Sequence, residues 1–160
     1  MFLICFWTLV AGGGCGFLAP NPSDLDELRE RYGDVTPGTF VIERGETSYS
    51  GCTRYIPPSA DPSSPGARFV VDAPENPRSG TLVIPGLPQP TADDLERVRL
   101  LFDGWSGREG TFELLHADGN SASGVFSYEM RKIEGFFPFE TRMEGGFHVR
   151  FDDLHDGTGC

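Results

Sequence analysis

A short pattern recurs from Gly38 onward and restricts the fold more than any other feature of the sequence. A glycine is followed within two residues by a hydrophobic residue, and most copies continue with alternating hydrophobic and polar residues. Alternation with a period of two is typical of a β-strand that buries one face. The clearest copy runs through Met143, Gly145, Phe147, Val149 and Phe151, and shorter copies include Phe40/Ile42, Phe69/Val71, Leu82/Ile84, Phe112/Leu114 and Phe126/Tyr128/Met130.

Turn signals separate these segments. Asp103-Gly104 and Asp118-Gly119-Asn120 are typical of tight turns, and Gly (21) and Pro (13) are frequent in the 160 residues. Frequent glycine and proline interrupt long helices, so a helical bundle or coiled coil is excluded. The sequence predicts an all-β domain, either an antiparallel β-sandwich or a small open barrel, of about seven or eight short strands.

One short helix is predicted before the strands. Ser23 is a suitable N-cap, Leu25, Leu28 and Tyr32 follow at helical spacing, and Gly33 is a stop signal. A second segment, 91–102, fits either a capped helix or a strand. We favour a strand from about Glu96, because Asp103-Gly104 leads directly into the next alternating segment.

The charge of the chain is acidic and unevenly distributed. There are 24 Asp and Glu against 13 Lys and Arg, a formal net charge of −11, and the first charged residue is Asp24. Nucleic acid and anionic lipid headgroups are bound by clusters of basic side chains. We therefore expect neither nucleic acid nor a basic lipid-docking face.

The neutral N-terminus has the layout of an export signal. The apolar run Phe2–Val10 is followed by the small residues 11–14 and then by Cys15. This arrangement resembles the lipobox of bacterial lipoproteins. The resemblance implies a signal peptide over 1–14, lipidation of Cys15 and attachment to a membrane of the cell envelope, facing the periplasm or exterior. The prolines and Asn that follow predict a tether over 15–22, and the length and the alternating segments predict a single β-rich domain over 23–160.

Three other interpretations of the N-terminus remain open. Residues 2–18 could be an uncleaved membrane anchor, the signal could be cleaved and the domain released, or the segment could be a buried strand. If Cys15 carries lipid and Cys5 is removed, Cys52 and Cys160 remain. We expect them to form a disulfide in an oxidising compartment.

The sequence contains no recognisable catalytic motif. There is no G-x-S-x-G, P-loop, H-E-x-x-H or C-x-x-C, and we assign no catalytic residue, metal site or cofactor. We interpret His148 as an outward-facing strand residue and His116 as a partly buried, hydrogen-bonded one. The acidic run 152–157, which includes His155, is interpreted as solvated rather than as a metal site.

Aromatic residues offer the best candidate for ligand binding. Trp105 lies in a Gly-rich turn with Asp103 and Arg108 nearby, a combination that could stack on a sugar and bind its hydroxyls. We favour the alternative that Trp105 plugs the end of the fold. Phe136 has the opposite parity to Phe137 and Phe139, which indicates that one ring faces outward.

These observations lead to one main expectation and three alternatives. We expect an exported, lipid-anchored envelope protein with a non-catalytic binding or structural role and an envelope protein or glycan as partner. The alternatives are a small envelope hydrolase with a carboxylate or histidine site, a carbohydrate-binding module, and an assembly component that pairs through an exposed strand edge.

Overall fold

A computed structural model describes residues 22–60, 65–71 and 78–154. Within these residues eight antiparallel strands form a closed barrel in chain order, with β1 paired to β8. The strands are β1 Thr39–Arg44, β2 Thr47–Ile56, β3 Gly66–Val71, β4 Ser79–Val83, β5 Arg99–Phe102, β6 Trp105–Ala117, β7 Ser121–Glu134 and β8 Phe137–Arg150, and the helices are α1 Pro22–Tyr32 and α2 Ala92–Leu95.

The all-β class is confirmed, and the architecture is a barrel rather than a sandwich; it is closed, whereas the barrel that we predicted as the alternative was open. The prediction of uniformly short strands is wrong for β6, β7 and β8, which contain 13, 14 and 14 residues. The turn signals that flank these strands are correct, but they lie far apart in the sequence, so the strands between them are long. β7 and β8 therefore pair as one long hairpin from Ser121↔Arg150 to Glu134↔Phe137.

The interior of the barrel is filled by the inward residues of the alternating segments. An eight-stranded barrel has an interior just wide enough for side chains to fill it. Phe69 is fully buried there, with its ring centroid 4.7 Å from that of Phe40 and 6.3 Å from those of Phe126 and Phe147. Stacked rings of this kind bury a large apolar area, so the core is packed around phenylalanine.

Helix α1 packs on the outside of the barrel. Leu28 and Tyr32, one turn apart, form a small separate cluster with Val125 of β7, and Val41 of β1 packs against it. The helix begins at Pro22, one residue before the predicted N-cap, and proline suits a first turn because its missing N–H would have no partner there. It ends where predicted, with Gly33 N–H donating to the Arg29 carbonyl at 2.8 Å.

The ambiguous segment 91–102 contains both elements. Thr91 caps α2, and the Asp94 carboxylate accepts a hydrogen bond from the Thr91 N–H at 2.9 Å in a capping box. β5 then begins at Arg99, three residues later than predicted. The helix alternative thus holds for residues 92–95 and the strand alternative for residues 99–102.

The barrel is closed unevenly. β5 and β6 are paired only at Leu101↔Ser106 and Phe102↔Trp105, next to the turn that joins them. We call the opening between β5 and the rest of β6 the β5–β6 seam. β6 is paired with β7 from Ser106↔Arg131 to Ala117↔Ala122, with register shifts at Gly107/Glu109 and Leu114/His116.

Candidate functional site

Trp105 begins β6 directly after the 103–104 turn, at the end of the barrel that also carries the 45–46 turn. It is half-buried and packs against the core. The Arg44 guanidinium lies over its ring, 5.6 Å from the centroid, and also 5.7 Å from the ring centroid of Tyr49. A cation over an aromatic face is a favourable interaction in its own right. These contacts fit the plug interpretation that we favoured, while sugar binding by Trp105 stays a prediction.

Asp103 is already bound by Arg78, the residue that precedes β4. Its carboxylate accepts a hydrogen bond from Arg78 at 3.1 Å, and the same Arg78 nitrogen donates to the Tyr49 hydroxyl at 2.9 Å. Asp103 also has a positive φ of 52°, as the tight β5–β6 turn requires. The third residue of the predicted set, Arg108, lies in β6, and its side chain is outside the part of the chain that the structure describes.

The two predicted histidines lie in one row on the outside of the barrel. His116 is opposite Ser123 on β7, and Ser123 is opposite His148 on β8. The His116 Nε2 lies 3.1 Å from the Asp118 carboxylate, so this histidine has the acid partner that a hydrolase would need. Burial, followed by the charge of His116, lowers the pKa of His148 below its ordinary value.

This histidine row lacks the other features of a nucleophilic site. Within residues 22–60, 65–71 and 78–154, no hydrogen bond joins the Ser123 hydroxyl to either ring. The Asp118 carboxylate also accepts from the N–H groups of Asn120 and Ser121, at 2.7 and 2.8 Å, and these bonds lower its pKa. Asp118 therefore holds the β6–β7 turn. His116 is more exposed than we predicted.

Several predicted residues lie outside the described part of the chain, including Cys15, Cys160, His155 and the segments 1–14 and 15–21. Cys52 is described: it is half-buried in β2, on the side opposite to the buried Thr53 and Tyr55. The described residues contain no group of three or more His, Cys, Asp or Glu that could bind a metal ion. None of the helices in the described chain is long and apolar enough to cross a membrane.

The most exposed apolar surface of the described chain is the tip of the β7–β8 hairpin. Beyond Arg131, which is opposite Ser106 of β6, residues 132–139 of the hairpin are paired only with each other. Phe136 is 99% exposed, Phe137 72%, Ile133 68% and Phe139 49%. We call Ile133, Phe136, Phe137 and Phe139 the aromatic tip. Only one outward ring was predicted here; the other apolar residues are exposed because the hairpin extends past the barrel.

The tip has a defined shape. Gly135 has a positive φ of 65°, as expected for the first position of a two-residue hairpin loop that begins with glycine. Lys132 and Glu134 form an ion pair at 2.9 Å on the face that also carries Phe137 and Phe139. The Gly135-Phe136 loop could have been recognised in the sequence, but the length by which the hairpin passes the barrel depends on the other strands.

The second unusual surface is the free edge of β6. β6 has no buried residue among those whose burial is described, whereas β7 and β8 have several. Tyr128, which reaches from β7 beneath β6, donates a hydrogen bond to the Val98 carbonyl at 3.1 Å. Burial raises the pKa of Tyr128 well above its ordinary value. Its side chain thus bridges a gap that strand pairing leaves open.

Comparison with known proteins provides no family assignment. No protein-family model matches the sequence, and neither the curated proteins nor the solved structures show a significant similarity to this chain.

Proposed function

We propose that this chain is an exported, lipid-anchored protein of the cell envelope with a non-catalytic binding or structural role, and that the aromatic tip contacts an envelope protein. The aromatic tip is the observation that carries the binding role. Large exposed apolar patches on soluble proteins mark interaction sites, and the three exposed rings of Phe136, Phe137 and Phe139 lie together at the end of this hairpin. Aromatic side chains are also enriched among the residues that dominate protein–protein binding.

Strand pairing also holds the two sides of the tip together. Lys132↔Phe139, Ile133↔Pro138 and Glu134↔Phe137 are paired directly below the loop. A hairpin whose rings already face outward in one conformation loses little conformational entropy when it binds. The filled interior, with Phe69 and Phe126 fully buried, leaves the outside of the barrel as the place for recognition.

The lipid anchor is supported by the sequence from Phe2 to Cys15. Intact-mass analysis of protein extracted from membranes tests it. We expect a chain that begins at Cys15 and carries additional acyl mass, whereas an unmodified chain beginning at Met1 would refute the anchor.

A photoreactive amino acid at position 136, introduced in cells, tests the binding role. We expect a discrete crosslinked product in intact envelopes. The matched control is the same amino acid at Gly119, which is exposed in the β6–β7 turn and where an added Cβ would have no described atom within 4 Å. Equal crosslinking at both positions, or none at position 136, contradicts the proposal.

A disulfide between Cys52 and Cys160 remains part of this proposal. Leu154 lies beside Tyr55, and the Tyr55 N–H donates to the Asp153 carbonyl at 2.7 Å, so the described chain ends three residues along β2 from Cys52. Six further residues could span up to about 20 Å when extended, which is enough to return to Cys52. Mass analysis of peptides from unreduced protein tests the pairing, and a peptide with a free Cys160 thiol would refute it.

The hydrolase and carbohydrate alternatives have less support. His116 and Asp118 are on an exposed turn, and Trp105 and Asp103 already have Arg44 and Arg78 as partners. No contact in the described residues favours either alternative over the binding role.

A further inference from the structure

We infer that β6 is an acceptor edge that binds an extended segment of a partner protein by antiparallel strand addition. This inference is independent of the lipid anchor and of the aromatic tip. The bound segment is neutral or basic and about six residues long, because the acceptor edge is acidic and its regular stretch has that length.

The backbone of β6 provides the binding groups. In a strand, roughly half of the N–H and C=O groups point to each side, and a strand with one neighbour leaves one set unpaired. Along Glu109–Leu114 the described chain shows no register pair other than those with β7, and no backbone hydrogen bond to a residue outside the strands. An extended peptide supplies the complementary donors and acceptors, as in other cases of strand addition.

Two bulges define the length of the acceptor segment. Register shifts lie between Gly107 and Glu109 and between Leu114 and His116. A bulge interrupts regular pairing and protects an edge from uncontrolled association. The regular stretch between them is Glu109–Leu114, so an added strand would pair along about six residues, a common strand length.

The side chains next to the seam make it suitable for apolar residues on the inner face of the added strand. Phe112 and Leu114 are half-buried and pack against the core, and the Phe112 ring centroid is 6.2 Å from that of Phe147. Tyr128, opposite Gly110 in the register, is 7% exposed. A partner strand would cover the exposed part of Phe112 and Leu114, which adds burial to the backbone hydrogen bonds.

Charge argues against a second copy as the occupant. Each copy has a formal net charge of −11, and β6 itself carries Glu109 and Glu113. Two β6 edges paired with each other would bring these carboxylates together, and like charges on neighbouring strands are destabilising. Glu113 already binds Arg29, with atom distances of 2.6 and 2.7 Å, so a basic group near this edge has a precedent within the chain.

A randomised library of displayed ten-residue peptides, selected against the full-length chain, tests the inference without a known partner. Selected peptides are then synthesised and their binding sites mapped by amide hydrogen exchange. When peptide is bound, we expect the seam-facing amides within Glu109–Leu114 to exchange about tenfold more slowly than in the free protein. Protection at the aromatic tip alone, or a library with no binder, overturns the inference.

Backbone methylation of a selected peptide distinguishes strand addition from side-chain binding. In an added strand only alternate N–H groups face β6. Methylation of one alternate set should weaken binding by about tenfold or more, and methylation of the other set should have little effect. Equal effects of both sets contradict strand addition. Concentration-dependent dimers of the chain that protect the same β6 amides contradict the assignment to a foreign segment.

Discussion

The wall formed by β8 with its neighbours and the seam between β5 and β6 close the same barrel in different ways. β7 and β8 are paired along their whole length, and the inward residues of β8 include Met143, Phe147 and Val149, all buried. At the seam two register pairs are followed by an open edge, and the Tyr128 hydroxyl makes the link to the preceding segment. Every strand of a barrel can thus be paired with the next one, while one strand still has unpaired backbone groups along part of its length.

The largest expected loss of stability comes from removing a core side chain. Phe69→Ala removes a fully buried ring that stacks on Phe40, and we expect it to lower the free energy of unfolding by about 3–5 kcal/mol. Urea denaturation measures the change. Phe136→Ala is the matched control, because Phe136 is 99% exposed, and it should change stability by no more than about 0.5 kcal/mol. Equal losses in the two variants would mean that the tip is part of the core.

The packing of α1 against β8 depends on the absence of a side chain at Gly146. A Cβ at Gly146 would meet the Tyr32 carbonyl oxygen and the Tyr32 side chain. Gly146→Ala should therefore displace α1 and lower the free energy of unfolding by about 1–3 kcal/mol. Gly119→Ala, where an added Cβ has open space, is the control for thermal denaturation of both variants. An unchanged midpoint for Gly146→Ala would show that α1 is not packed tightly on β8.

At the seam, Tyr128→Phe removes the hydrogen bond to the Val98 carbonyl while keeping the ring. We expect a loss of about 1–1.5 kcal/mol and faster amide exchange in β6. Tyr32→Phe, which loses a hydrogen bond to Glu43 outside the barrel, is the matched control. It should leave exchange in β6 unchanged, and faster exchange in both variants would contradict a role specific to the seam.

The same tyrosine gives the seam a pH dependence. Burial raises the pKa of Tyr128 in the folded state above its value in the unfolded chain, so the folded state holds the proton more tightly. The stabilisation is complete below about pH 10 and is lost as the pH rises further, because the unfolded chain ionises first. Stability measured across this range should fall less steeply for Tyr128→Phe than for the unaltered protein. An identical slope would contradict the burial of this phenol.

The smallest expected effect is at the ion pair between α1 and β6. Arg29 is exposed and binds Glu113, and exposed pairs contribute little to stability and are screened by salt. Arg29→Gln should lower the thermal midpoint slightly at low salt and leave it unchanged at high salt. A large loss that persists at high salt would indicate that α1 holds β6 in place.

The sequence predicted the wall better than it predicted the seam. Alternation from Met143 to Val149 identifies β8 and its buried face, because the signal is local. Phe112 and Leu114 alternate in the same way, yet they are only half-buried. Whether such a segment has one or two neighbours depends on the length of another strand. β5 has four residues and β6 has 13, and no local pattern relates the two lengths.

The candidate surfaces were predictable to different degrees. The outward ring of Phe136 follows from parity, but the exposure of Phe137 depends on how far the hairpin passes β6. Trp105 was recognised as either a ligand platform or a plug, and its contacts with the core and with Arg44 favour the plug. Arg44 belongs to a strand far away in the sequence, so this pairing required the folded register.

Native-state amide hydrogen exchange of the unaltered protein tests the uneven closure most directly. If β6 is an open edge, its seam-facing amides within Glu109–Leu114 should exchange at least about a hundredfold faster than the amides of Met143–Val149 in β8. The two segments lie in the same barrel, so global unfolding affects both equally. Equal protection of the two segments would show that β6 is fully paired and would contradict the account.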